Sequence, residues 1–187
     1  MQMRRTLISR LRVAAAIALM SGFFVAVAAQ SPTFSQSPQT PARDVATSCP
    51  VTQRPVPPFV PPAPYSAELG PQSFWFGTEK LWTVLRADGL WNGLPHYTPD
   101  DPTFRQKLFF WRAGFDAHSE PRPALTITGK RLDAPAPPLA SDRASNGWQD
   151  PEQSFMVTGI NLPTLGCWRI TAHYRDQELT FVVRVTQ

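Results

Sequence analysis

The chain has 187 residues, with 18 Lys and Arg against 14 Asp and Glu, and a formal net charge of +4 at neutral pH. The basic surplus comes from four arginines near the start of the chain, where no acidic residue accompanies them: Arg4, Arg5, Arg10 and Arg12. Without these four, 14 basic and 14 acidic side chains remain. Binding to nucleic acid depends on a basic surface that releases counterions from the phosphates, so the composition excludes nucleic acid as the default partner.

The first 29 residues, 1–29, have the pattern of a secretory signal peptide. The arginines precede an apolar run from Val13 to Val27, and the small residues Ala26–Ala28 end that run. A basic start, an apolar centre and a small-residue cleavage site are typical of such signals. The alternative is an uncleaved anchor, but the run is shorter than the roughly 20 residues of a spanning helix. We therefore predict an exported protein, periplasmic or extracellular, whose mature chain does not span a membrane.

Residues 30–64 form a leader rich in Pro and Ser. Ten of the 21 prolines lie here, and the segment ends in RPVPPFVPPAP. Proline favours the polyproline-II conformation and is excluded from helix interiors and central strands. With few large apolar residues, this segment cannot bury enough surface to fold by itself. We predict an extended spacer, and the alternative is that PPFVPP binds an aromatic groove of a partner protein.

The chain has two cysteines, Cys49 in the leader and Cys167 near the end of the domain. An even number of cysteines in an exported chain indicates a disulfide, and two separate buried thiols are the alternative. The chain has no Cys-x-x-Cys motif, so its cysteines do not show the spacing of a zinc site. We predict a Cys49–Cys167 disulfide that ties the leader to the edge or end of the domain, with a structural role, and we predict no metal and no cofactor.

Residues 65–187 are predicted to form one all-β domain. Period-two alternation predicts strands in SFWFG, KLWTVLR, KLFFWR, ALTITGKRLD and QSFMVTGINL. The clearest signal is a final hairpin, in which one face carries apolar side chains: Trp168, Ile170, Ala172, Tyr174, Leu179, Phe181, Val183 and Val185. About seven short strands predict two antiparallel sheets packed face to face. The segments NGLPHYTPDDPTF and DAPAPPLASDRASNGWQDPE are predicted to be loops at the ends of this sandwich, where functional residues concentrate.

Four motifs cover most of the chain after the signal: CPVTQRPVPPFVPP, KLWTVLRADGLW, KLFFWRAGFDAHSEPRPALTITGKRLD and LPTLGCWRITAHYRDQELTFVV. In these motifs the chain resembles a group of uncharacterised exported bacterial proteins. The last motif is also similar to the closing hairpin of many immunoglobulin-like modules. The resemblance implies an immunoglobulin-like β-sandwich, but it implies no activity and no functional residues, because a fold does not determine a function.

The sequence lacks the common catalytic motifs G-x-S-x-G, H-E-x-x-H and S-x-x-K, and it has no glycine-rich phosphate loop. Candidate residues for ligand binding or acid–base chemistry lie together in the first predicted loop: His96, Asp100 and Asp101. Paired carboxylates can bind calcium or transfer protons, although an Asp before a Pro more often begins a turn. A second group, His118 with Asp116 and Glu120, has suitable atoms for a divalent metal at a spacing that is common in proteins.

The domain is rich in tryptophan. Strand positions predict that three of the six fill the core: Trp82, Trp111 and Trp168. Trp91 and Trp148 lie in turn-rich stretches, and exposed tryptophans in loops often mark contact sites for sugars, peptides or proteins. The alternative is that both fold back over the ends of the sandwich.

Two functional hypotheses follow from the sequence. The first is a non-enzymatic binding or accessory module at the cell envelope, whose partner is a protein or a carbohydrate and whose site includes Trp91, Trp148, His96, Asp100 and Asp101. The alternative is a secreted hydrolase or metal-dependent enzyme that uses the loop carboxylates and histidines. The enzyme hypothesis requires these side chains to converge in one pocket.

Overall fold

A computed structural model describes residues 48–65, 68–150 and 153–187. The predicted signal peptide and the start of the leader lie outside the described residues. The described part of the chain is all-β, without a helix, and none of it forms a helix suited to crossing a membrane. Its ten strands are β1 (Ser73–Thr78), β2 (Leu81–Arg86), β3 (Leu90–Asn92), β4 (Phe104–Trp111), β5 (Leu125–Arg131), β6 (Leu139–Ser141), β7 (Ala144–Asp150), β8 (Gln153–Leu162), β9 (Gly166–Tyr174) and β10 (Gln177–Thr186).

The strands form two five-stranded sheets, which confirms the predicted two-sheet, all-β architecture. Sheet A has the order β1-β2-β4-β8-β7, and sheet B has the order β3-β10-β9-β5-β6. All pairs are antiparallel except β3 with β10, which is parallel. The chain passes from sheet B to sheet A between β6 and β7.

The predicted number of strands, about seven, was wrong. Strands β3 and β6 have three residues each, which is too short for a period-two pattern to be recognised. Strand β7, ASNGWQD, is an edge strand of polar composition inside a segment that was predicted to be a loop. Its backbone pairs with β8 even though its side chains show no alternation of apolar and polar residues.

The main core lies between the two sheets, and the final hairpin contributes as predicted. The predicted inward residues of β9 are at most 1 % exposed, and those of β10 are all buried. Sheet A supplies the opposing side chains, which include Leu81, Leu85, Leu108, Phe110, Met156, Ile160 and Leu162. Alternating residues on strands from both sheets therefore meet in one interior, as period-two patterning requires.

A second aromatic cluster covers the outer face of sheet A. Trp82, Trp75 and Trp111 are buried there, so Trp82 and Trp111 are interior residues as predicted, but they lie outside the space between the sheets. The ring of Trp75 meets the ring of Trp111 edge-on at 5.3 Å between centroids. Sheet A therefore packs apolar side chains on both of its faces.

The described part of the leader together with Tyr65, the first residue of the predicted domain, makes up residues 48–65; this segment is called the strap here because it runs along both sheets. The N–H of Thr52 donates to Val182 O (2.9 Å), and the N–H of Val182 donates to Thr52 Oγ1 (2.8 Å), on the side of β10 where β3 pairs farther along. Phe59 and Tyr65 then pack on the ring of Trp82, at 5.9 and 5.0 Å between centroids. The strap thereby closes part of the aromatic cluster.

The predicted Cys49–Cys167 disulfide is confirmed. It joins the strap to the start of β9 across 118 residues, with 5.4 Å between the Cα atoms. Closing a loop of this length stabilises a fold by roughly 4–5 kcal/mol in the chain-entropy model, less any strain. The bond anchors the beginning of the strap beside β10.

Candidate binding site

The floor of the candidate site is the outer face of two central strands of sheet A. Arg105 on β4 lies directly opposite Asn161 on β8, and Lys107 lies opposite Gly159. Directly opposite residues of an antiparallel pair project from the same face of the sheet. This polar end of the face is on the same side as the aromatic cluster, because Phe109 and Trp111 follow Arg105 at steps of two along β4.

The loop between β3 and β4 forms one wall of the site. Gly93, in the left-handed region at φ 62°, ends β3 and begins this loop. The ring of Tyr97 is 66 % exposed, and the guanidinium carbon of Arg105 lies 4.6 Å from its centroid. This distance is typical of a cation–π contact, so Arg105 holds one aromatic ring at the edge of the floor.

Asp101 organises the same loop and lines the site. Its Oδ1 accepts hydrogen bonds from the N–H of Thr103 (2.8 Å) and from Thr103 Oγ1 (2.7 Å). This is the turn that the Asp-Asp-Pro sequence indicates. The hydrogen bonds from the side chain and backbone of Thr103 are the main cause that lowers the pKa of Asp101. The carboxylate is therefore ionised at neutral pH and acts as a hydrogen-bond acceptor.

The crossing from β6 to β7 forms the opposite wall. Ser141 Oγ donates to the carbonyl of Gly159 (2.9 Å) and lies 3.1 Å from the hydroxyl oxygen of Thr158. These contacts fasten the crossing segment to β8. The following residues, Asp142 and Arg143, are exposed and border the floor.

Floor and walls enclose an open cleft of about 760 Å³. Its volume lies in the range of small-molecule sites, roughly 300–1,000 Å³. Its side chains carry both charges and one amide: Asp101, Asp142, Arg105, Arg143 and Asn161, together with the ring of Tyr97. The two carboxylates balance the two guanidinium groups, so this cleft offers hydrogen-bond donors and acceptors without a strong net charge.

The structure separates the sequence-predicted residues of the first loop. Asp101 lines the cleft, whereas the exposed His96 contacts its own loop and the start of β4: its Nδ1 lies 2.9 Å from Thr103 O, and its ring lies 4.9 Å from that of Phe104. Asp100 is exposed in the turn before Asp101. His96 and Asp101 thus both contact Thr103, and together they shape the wall.

Trp91 and Trp148 were predicted to lie in loops. Both lie on strands instead, and the structure does not bring them together. Trp91 lies on β3 in sheet B and is 6 % exposed, with its ring 6.3 Å from that of Phe181. For Trp91 the structure has the folded-back arrangement that was the alternative to an exposed site. Trp148 is 55 % exposed on the edge strand β7, opposite the buried Ser154. Its side chain therefore projects from the face of sheet A that is opposite the cleft.

The metal site considered at His118 is not formed. His118 is 84 % exposed and lies 3.3 Å from Asp116, whereas Glu120 is engaged by Tyr174 and Arg175. Among the residues that the structure describes, no three His, Cys, Asp or Glu side chains are grouped to hold a metal ion. The Glu120 carboxylate instead joins the loop before β5 to the turn between β9 and β10.

Sequence reasoning missed most of the cleft. Tyr97 lies in a loop that was predicted to be functional, but the sequence analysis did not predict Tyr97 itself as a site residue. Arg105 and Asn161 alternate with apolar residues and look like ordinary solvent-facing strand positions. What identifies these residues as neighbours is the register between β4 and β8, and that register is known only from the structure.

Comparison of the chain with protein-family models, with curated proteins and with solved structures finds no match.

Proposed function

We propose that this protein is an exported, non-enzymatic binding module with an immunoglobulin-like sandwich, and that the cleft on sheet A is its ligand site. The observation that carries the proposal is the convergence of three separate chain segments on one polar cleft of about 760 Å³. Loop and strand-edge residues held by a rigid two-sheet scaffold are the usual form of a binding site.

Two features support export. The first 29 residues have the signal-peptide pattern, and the disulfide between Cys49 and Cys167 suits an oxidising compartment. The closing hairpin, β9 with β10, supports the immunoglobulin-like description, because it pairs over nine successive positions and buries Trp168 completely.

The chemistry of Asp101 argues against a role as a general acid. A general acid at neutral pH needs a raised pKa, but the pKa of Asp101 is lowered, first by its hydrogen bonds with Thr103. An ionised carboxylate held in a fixed turn is a directional acceptor for a donor on the ligand. His96 contacts the carbonyl of Thr103 and the ring of Phe104, contacts that support the wall of the cleft.

The test is a substitution that narrows the cleft at its floor without disturbing the fold. A Cβ atom at Gly159 would meet no atom within 4 Å, and Gly159 has no positive φ. Gly159→Val therefore adds bulk to the floor, and since glycine weakens a strand by roughly 0.5–1 kcal/mol, the variant should be at least as stable as the wild type. We expect immobilised Gly159→Val protein to retain about tenfold less labelled envelope material than the wild type.

Gly70→Val is the matched control, because Gly70 also faces open space and lies outside the cleft. We expect this control to retain as much envelope material as the wild type. Equal retention by Gly159→Val and the wild type, with both proteins folded, would show that the cleft is not the binding site.

A further inference from the structure

The outer face of sheet A continues from the cleft into an exposed aromatic surface. Phe109 on β4 is 40 % exposed, and its ring lies 5.8 Å from that of Phe155 on β8. Phe155 in turn lies 5.5 Å from Trp111. Arg105 and Phe109 are four residues apart on one strand, which corresponds to roughly 13 Å along the sheet. A polar cleft and an apolar aromatic surface therefore lie on one face of the sheet, with the exposed Lys107 between them.

The Phe155 ring packs against Gly147 on β7, which has no side chain beside the ring. A Cβ atom at Gly147, opposite Phe155 on β7, would lie 2.4 Å from the ring. The ring therefore covers Gly147 and widens the aromatic surface toward the edge of the sheet. The aromatic surface thus reaches from β4 across β8 to the edge strand β7, with the Phe109 and Phe155 rings inclined at 68° to each other, and its extent suits an extended ligand.

The charges of the cleft argue for a neutral ligand. Two carboxylates and two guanidinium groups line it in equal number, the exposed Lys107 on the same face adds one ammonium group, and Asn161 adds an amide with both a donor and an acceptor. A phosphate-rich or polyacidic ligand would meet repulsion from Asp101 and Asp142. A ligand with many hydroxyl groups fits, because each hydroxyl donates to a carboxylate and accepts from a guanidinium or an amide.

The aromatic surface argues for a ligand that also has an apolar face. The face of an aromatic ring carries partial negative charge and attracts polarised C–H groups. A pyranose ring presents hydroxyl groups at its rim and C–H groups on its face, so it combines the two kinds of contact. Tyr97, 66 % exposed at the wall of the cleft, offers a second ring at the polar end.

We infer that the ligand is a neutral polysaccharide, which lies along sheet A with hydroxyl groups in the cleft and sugar rings stacked toward Phe109. This inference rests on the proposed binding function and adds the class of ligand. The occupant spans both parts of the face, so a chain of several sugars should bind more tightly than a monosaccharide. A protein ligand is the competing outcome of the experiment below.

The experiment is affinity electrophoresis of the folded, oxidised protein in native gels that contain one soluble neutral polysaccharide each: hydroxyethyl cellulose, laminarin, guar galactomannan or xylan. We expect at least one of them to retard the wild type relative to a non-binding reference protein. Tyr97→Ala and Phe109→Ala should each weaken that retardation about tenfold, the upper end of what one aromatic contact contributes. Trp148→Ala, an exposed aromatic on the other face, should migrate like the wild type.

A fifth gel contains acidic polygalacturonate. The inference is overturned if none of the four neutral gels retards the wild type, whether or not the acidic gel does. If the gels fail while envelope retention persists and depends on Gly159, the binding function stands and the ligand is not a neutral glycan; loss of that retention after protease treatment then identifies a protein. If Gly159→Val also leaves envelope retention unchanged, the binding function itself is wrong.

Discussion

Glu120 ties the loop before β5 to the end of β9 and the following turn through a single carboxylate. Tyr174 Oη donates to its Oε2 at 2.6 Å, Arg175 donates to the same oxygen at 2.7 Å, and the N–H of Ala124 donates to Oε1 at 3.0 Å. Burial by itself raises the pKa of Glu120, but the three hydrogen bonds and the charge of Arg175 together outweigh burial and lower it. The ionised form of Glu120 therefore stabilises the fold.

This lowered pKa predicts a loss of stability in acid. Because the folded-state pKa lies below the ordinary value of about 4.3, the stabilisation is fully present above that value and is lost as the pH falls through the folded-state pKa. Glu120→Gln should lower the free energy of unfolding at neutral pH by about 1–3 kcal/mol. It should also flatten the decline in stability below about pH 4, measured by urea unfolding at several pH values.

Glu178→Gln is the control for this substitution. The side chain of Glu178 is 61 % exposed, and its Oε2 lies 3.5 Å from Nδ1 of His173. An exposed ion pair contributes little, so this substitution should leave both the stability and its pH dependence nearly unchanged. Equal effects of the two substitutions would contradict the role given to Glu120.

At the scale of elements, the strap is held to sheet A by Tyr65. Tyr65 is 8 % exposed, its hydroxyl donates to Arg112 O at 3.2 Å, and its ring meets Trp82 edge-on. Tyr65→Phe should cost about 1 kcal/mol, since only the hydrogen bond is lost. Tyr65→Ala should cost about 3 kcal/mol, because it opens a cavity beside Trp82. Urea unfolding followed by tryptophan fluorescence measures both values.

Tyr97→Ala is the matched comparison, since the exposed ring of Tyr97 packs on Arg105 at the surface. It should cost less than about 0.5 kcal/mol, as surface substitutions usually do. A loss for Tyr65→Ala as small as that for Tyr97→Ala would mean that the strap does not stabilise the sheet.

The strands that could be predicted are those in which apolar and polar residues alternate in step with buried and exposed positions. Strands β9 and β10 alternate between apolar and polar residues at most positions, because one face is buried and most of the other faces solvent. Strand β2 obscures this pattern: Leu81, Trp82 and Thr83 are all buried, since the strap covers its outer face. The covering of that face could not be predicted, because Phe59 and Tyr65 stand among prolines, a composition typical of an extended spacer.

At the scale of the whole molecule, the cleft depends on pairings between distant segments. Residues near 100, 140 and 160 meet only because β4 pairs with β8 and because Ser141 is bonded to the carbonyl of Gly159. Asp101 could be predicted as a candidate because the polar residues of its loop are consecutive in the sequence. The floor of the cleft could not be predicted, since Arg105 and Asn161 become neighbours only through the register of the sheet.

The central claim is that the outer face of sheet A binds a neutral glycan, and nuclear magnetic resonance tests it most directly. Isotope-labelled protein would be titrated with mixed oligosaccharides from partial hydrolysis of the four neutral polysaccharides. The account predicts that backbone amide shifts concentrate at Arg105, Gly159 and Asn161 and extend toward Phe109. Shifts concentrated on sheet B, or no shifts at the highest oligosaccharide concentration, would contradict it.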